Sequence, residues 1–68
     1  MGMEVYINGA PRQVPEGATV AQIVELLGLS GRRIAVEVNE RIVSRAAETS
    51  HGLRPADRIE VVNAIGGG

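Results

Sequence analysis

"MEVYINGAPRQVPEGATVAQIVELLGL", Met3 to Leu29, carries three elements in one reach and decides the fold. Met3, Val5 and Ile7 alternate with Glu4, Tyr6 and Asn8. Period two with β-branched residues predicts a half-buried strand. Asn8-Gly9 follows, a strong hairpin signal because both residues tolerate positive φ. Arg12 to Pro15 then reads as a short return strand, closed by the turn Pro15-Glu16-Gly17. From Val20 the period changes. Val20, Ile23, Val24 and Leu27 fall at i, i+3, i+4 and i+7, an apolar stripe that Leu26 widens. Thr19 is placed to cap this helix, with Gln22 completing a Thr-x-x-Gln capping box. Gly28 or Gly31 stops it after about ten residues.

Downstream, "RIAVEVNE" (Arg33 to Glu40) returns to period two, with Ile34, Val36 and Val38 on one side and Ala35, Glu37 and Asn39 on the other. Asn39-Glu40 reads as a turn and Arg41 to Arg45 as a short strand. Residues 46 to 57 are irregular. Within them "HGLRPAD" (His51 to Asp57) reads as a short helical turn and a loop, with Leu53 entering the core. "DRIEVVNAI" is the last strand. The order strand, strand, helix, strand, short strand, strand asks for one helix packed on one face of a mixed sheet. That is an α+β fold of the β-grasp, or ubiquitin-like, type, with about five strands. Its first and last strands run parallel at the sheet centre. Residues 1–65 form the β-grasp domain and residues 66–68 a flexible C-terminal glycine tail.

At 68 residues the chain makes one domain, and the core must supply its stability without help from disulfides, since no cysteine is present. A single His and no Cys also exclude a zinc site of ordinary composition. The 44% of hydrophobic residues, nearly all aliphatic, is the remaining resource. A net charge of −1 with no long run of either sign argues against a nucleic-acid partner. No stretch approaches the length of a membrane span, and no signal peptide opens the chain. Tyr6 stands where a myristoylation signal needs Ser or Thr. The expected location is the cytoplasm. All seven basic residues are arginine, so no lysine side chain here can accept an isopeptide bond from another copy.

Catalysis needs positioned acids, bases or nucleophiles. His51, the one imidazole, has no cysteine to activate and reads as a solvated loop residue. Glu37, Glu40 and Glu60 read as solubilising charges on outer strand positions. "GATV" and "GLSG" lack the lysine and spacing of a phosphate loop. The chain is therefore expected not to be an enzyme, and to hold no metal or cofactor of its own.

One reactive group remains, the α-carboxylate of Gly68 at the end of "NAIGGG". The five residues from Ala64 span about 17 Å when extended. Gly66 and Gly67 present no side chain to block a narrow channel, so the tail suits threading into another protein's active site. Ordering it costs about 1–2 kcal/mol per residue, so the folded body must contribute to docking. The plain alternative is a frayed glycine tail with no task.

With those residues in view, the chain resembles the ThiS family, the ubiquitin-like sulfur carriers of thiamine biosynthesis. The resemblance runs end to end, through "INGAPRQVPEGATVAQIVELLGL", "RIAVEVNERIVSR" and "ADRIEVVNAIGGG". The third is the specific part: a strand running straight into a terminal Gly-Gly. Two features depart from the family pattern. Ser44 stands where the family often has Pro, and three glycines end the chain where the family has two, so that Gly67 and Gly68 match the pair.

The resemblance implies a mechanism. A ThiF-type adenylyltransferase, similar to ubiquitin-activating enzymes and using ATP and Mg, adenylates the Gly68 carboxylate. Sulfur from a persulfide enzyme then displaces AMP, and the resulting thiocarboxylate supplies sulfur to a ThiG-type thiazole synthase. Docking should use Tyr6, Val62 and Ala64 on the sheet face away from the helix, with Ile65 anchoring the tail root or the partner. Scattered surface apolarity is the plain alternative. Also open are a molybdopterin-type sulfur carrier, which shares the chemistry but tends to be longer, a protein modifier, and a β-grasp interaction module whose tail is incidental.

Overall fold

The computed structural model describes residues 1–63. Ala64 to Gly68, including the tail residues and two of the expected docking residues, lie outside the described part. The elements are β1 (Gly2–Ile7), β2 (Ala10–Pro15), α1 (Val20–Leu26), β3 (Ile34–Val38), β4 (Arg41–Val43), a 3-10 turn (Arg45–Ala47) and β5 (Arg58–Asn63). The five strands form one sheet in the order β2-β1-β5-β3-β4. β1 and β5 run parallel, and β5 runs antiparallel to β3. The mixed sheet with one packed helix is the β-grasp arrangement expected from the pattern.

Alternation places the core. Met3, Val5 and Ile7 of β1, Val14 of β2, Val36 and Val38 of β3, Val43 of β4, and Ile59 and Val61 of β5 all face the helix and are buried. Val20, Ile23 and Val24 meet them from α1, and Leu53 closes the cluster from the loop before β5. Fully burying side chains of this size contributes about 1.5–3 kcal/mol each. No polar or charged side chain is buried among the described residues, so the core is held by aliphatic packing.

The helix begins as its sequence signals. Gln22 N–H donates to Thr19 Oγ1 at 3.3 Å and Thr19 N–H donates to Gln22 Oε1 at 2.8 Å, closing the capping box. The loop after the 3-10 turn supplies the rest: Val20 N–H donates to the His51 carbonyl and Ala21 N–H to the Glu48 carbonyl, both at 3.0 Å. The first amides of α1 are thereby satisfied.

The helix is shorter than its pattern predicts, seven residues rather than about ten. Gly28 takes φ +73° and its N–H donates to the Glu25 carbonyl, while Leu29 N–H donates to the Val24 carbonyl. These two bonds make a Schellman motif, and half-buried Leu29 packs back on the core. Leu26 does not widen the buried stripe. It is 51% exposed, because its angular position falls beside the stripe set by Val20, Ile23, Val24 and Leu27.

The irregular segment also differs from expectation. The short helical turn lies at Arg45–Ala47, upstream of His51. Residues 51–53 instead run extended beside the helix entry, with Gly52 bridged to Thr19 and Leu53 N–H donating to the Ala18 carbonyl at 2.8 Å. The strand read over Arg41 to Arg45 stops at Val43, where Ser44 leads into that turn.

Candidate functional site

The last described strand is the central one. β5 lies at the sheet centre, flanked by β1 and β3. Ile59 and Val61 anchor it in the core. It ends at Asn63, the last described residue.

Two asparagines contribute to that hold, both in tight two-residue turns. Asn8 has φ +50° and Gly9 φ +86° between β1 and β2. Asn39 has φ +51° and Glu40 φ +70° between β3 and β4. Positive φ at both central residues is the type I′ geometry that suits hairpins. Each asparagine then reaches β5. Asn8 N–H donates to the Ile59 carbonyl at 2.8 Å, and Asn8 Oδ1 accepts from Val61 N–H at 2.8 Å. Asn39 N–H donates to the Arg58 carbonyl at 2.8 Å, and Asn39 Oδ1 accepts from Arg58 N–H at 3.0 Å. Asn39 Nδ2 further donates to Asp57 Oδ1 at 3.0 Å, and Asp57 Oδ2 accepts from Arg54 N–H at 2.8 Å. The sequence marked both asparagines as turn residues. Their grip on β5 was not visible there, because Asn8 and Val61 are 53 positions apart.

Tyr6 and Val62 lie on the sheet face away from the helix, as the alternation predicts, but they are not neighbours. Tyr6 pairs with Arg58, four residues before Val62 on β5. At about 3.3 Å per residue the two side chains stand on the order of 13 Å apart. Val62 is 52% exposed and faces half-buried Ala35 across β3. Ile42 on β4 is 77% exposed on the same face. Between Tyr6 and Val62 lies Glu60, directly opposite Glu37. The outer face therefore has an apolar pair, Val62 and Ala35, at the end of β5, with Ile42 one row away beside Glu37, and a more polar corner around Tyr6, Arg58 and Ala56. Ala64 and Ile65 lie outside the described residues.

His51 contributes its backbone carbonyl to the helix entry. Among the described residues no group of three His, Cys, Asp or Glu side chains is placed to hold a metal ion. None of the described helices is long and apolar enough to cross a membrane.

A model of the ThiS family matches residues 5–68. The chain belongs to the ThiS family. It is 34% identical over 64 residues to the sulfur carrier protein ThiS of Thermus thermophilus, covering 94% of this chain and 98% of that one. The crystal structure of a thiamine biosynthesis protein, ThiS, from Geobacter metallireducens superposes with a TM-score of 0.84 at 26% identity, over 97% of this chain and 100% of the other. The chain is also 38% identical over 66 residues to a thiazole synthase of Magnetococcus marinus, and 35% to one of Paramagnetospirillum magneticum. It spans 20% of the length of each of those two relatives.

Proposed function

We propose that this ThiS-family chain is a sulfur carrier of thiamine biosynthesis, and that the Gly68 carboxylate is the group that carries the sulfur. The observation that bears most weight is the match to a named sulfur carrier over 98% of that protein's length, with the paired glycines Gly67 and Gly68 included in the family match. In this reading the protein is not itself a catalyst. A partner of the adenylyltransferase class binds it together with ATP and Mg. A carboxylate oxygen of Gly68 attacks the α-phosphorus, and pyrophosphate leaves. A persulfide on a sulfur-donating enzyme then attacks the acyl carbon and AMP leaves. A thiol reduces the resulting acyl disulfide and releases the thiocarboxylate.

The carrier's contribution is placement. Docking of the folded body turns a bimolecular attack into a local one. Tyr6, Val62, Ala64 and Ile65 are the residues assigned to docking, while Gly66 and Gly67 pass through the partner's channel. A thiazole-forming enzyme is the proposed sulfur acceptor. The similarity of this chain to a fifth of each of two thiazole synthases supports that pairing.

The test is direct. The purified protein is incubated with ATP, Mg, sulfide and an adenylyltransferase of this class, and its intact mass is measured. The expected result is release of AMP and pyrophosphate, with a mass gain equal to sulfur replacing oxygen. An unchanged mass with no AMP released overturns the reading.

A further inference from the structure

We infer that Asn8 is a positioning residue for the proposed reaction of the tail: its side-chain carbonyl holds Val61 N–H and so fixes the C-terminal end of β5 against the β1–β2 turn. The inference rests on the proposed use of the Gly68 carboxylate for its functional part, and on the fold alone for its structural part.

The argument begins where pairing with β1 stops. β1 pairs with β5 through Tyr6–Arg58 and Ile7–Ile59, and β1 ends at Ile7. The hairpin then turns away into β2. β5 continues to Asn63, where its pairing is with β3, through Ala35–Val62 and Ile34–Asn63. On the β1 side, Val61 N–H would face the turn rather than a strand. Asn8 Oδ1 takes that N–H at 2.8 Å, while the Asn8 N–H holds the Ile59 carbonyl at 2.8 Å. One residue thus continues the parallel ladder past the end of its own strand. Only a short side chain with a carbonyl oxygen, on a backbone at φ +50°, meets both demands. Asn and Asp alone combine that reach with tolerance of the left-handed region.

The consequence follows from entropy. Each residue released from the ladder must be ordered again when the tail is threaded. A fixed Val61 holds the end of β5, and with it Val62 beside Ala35, in one position. A loosened Val61 leaves Val62 and Asn63 held by β3 alone, while Tyr6 and the rest of the folded body keep their places.

Two variants test this. Asn8→Gly keeps the turn, because Gly-Gly also accepts type I′ geometry, but removes the acceptor. Asn8→Asp keeps both turn and acceptor. Amide hydrogen exchange and 15N relaxation are measured on the free protein, and adenylation kinetics with the activating partner. In Asn8→Gly, Val61 N–H is expected to lose protection and Val62 and Asn63 to gain mobility, while the amides of β1 and β3 keep theirs. Adenylation kcat is expected to fall about tenfold, the effect of re-ordering about one residue, with KM changed less than about twofold. Asn8→Asp is expected to restore both. An unprotected Val61 N–H in the wild type overturns the inference, as does Asn8→Gly with lost protection and wild-type kcat. If the wild-type protein is not adenylated at all, the proposed function falls. The exchange result then decides by itself whether Asn8 holds the strand end.

Discussion

Glu37 of β3 and Glu60 of β5 stand directly opposite each other on the outer face of the sheet. Like charges at a cross-strand pair destabilise by about 0.2–1 kcal/mol. Glu60→Thr removes the repulsion and keeps a strand-forming residue. A gain of about 0.5 kcal/mol is expected, which for a domain of this size raises Tm by about 2–4 °C. The gain should shrink at about 1 M salt, where the screening length falls to about 3 Å. Thermal melts at low and high salt check both statements. An unchanged Tm at low salt would mean that Arg58, two residues along β5 on the same face, already offsets the pair.

Ala56 gives a second stability prediction. Asp57 N–H donates to the Arg54 carbonyl at 3.1 Å, with Pro55 next in line and Ala56 at φ +70°. Pro followed by a positive φ is the pattern of a type II turn, whose third position favours Gly. A left-handed alanine costs about 1–2 kcal/mol, and the greater freedom of Gly in the unfolded chain returns about 0.4–1 kcal/mol of that. Ala56→Gly is therefore expected to stabilise by about 0.5 kcal/mol, and Tm measures it. Glu40, at φ +70° in the β3–β4 turn, should respond to Glu40→Gly in the same direction. That change makes the second turn Asn-Gly like the first.

These turns show what a sequence can carry. β1, β3 and β5 were readable because each alternates strictly and one face of each is buried, so period two survives in the residue order. The capping box at Thr19 and Gln22 was readable because both partners lie within one helical turn. β2 was read two residues short at its start, since only Val14 of its six residues is buried and the register is set by pairing with β1. Residues 44–57 resisted reading because their local bonds close only single turns, within residues 44–51 and 54–57, while the Glu48 and His51 carbonyls and the Leu53 N–H bond to the helix entry. The place of Val62 beside Ala35, four residues along β5 from the partner of Tyr6, depends on the register between strands, which periodicity does not encode.

Val62→Asp tests the outer face as a docking surface. Val62 is 52% exposed and pairs with Ala35 on a face the helix does not cover, so the substitution should change stability by no more than about 0.5 kcal/mol. Placing a carboxylate in an apolar contact with a partner costs on the order of 1–3 kcal/mol, so adenylation kcat/KM should fall about tenfold or more. Because docking of the body is what changes, the loss should appear in KM, in contrast to the kcat effect expected of Asn8→Gly. An unchanged rate would remove Val62 from the docking surface.

Gly67→Val separates the tail from the fold. Among the described residues the core runs from Met3 to Val61, so a change at residue 67 is expected to leave Tm within about 1 °C of wild type, well under the shift expected for 1 kcal/mol. Threading is different. A channel that passes a glycine has no room for an isopropyl group, and misplacing the reacting carboxylate by about 1 Å can cost on the order of a hundredfold in rate. Adenylation should therefore fall by that factor or more, while binding to the partner, competed by unlabelled wild-type protein, weakens far less because the body still docks. Asn8→Gly loosens the root of the tail and Gly67→Val blocks its passage, so the double variant should be no slower than Gly67→Val alone. Full activity of Gly67→Val would mean that the Gly68 carboxylate is reached without threading.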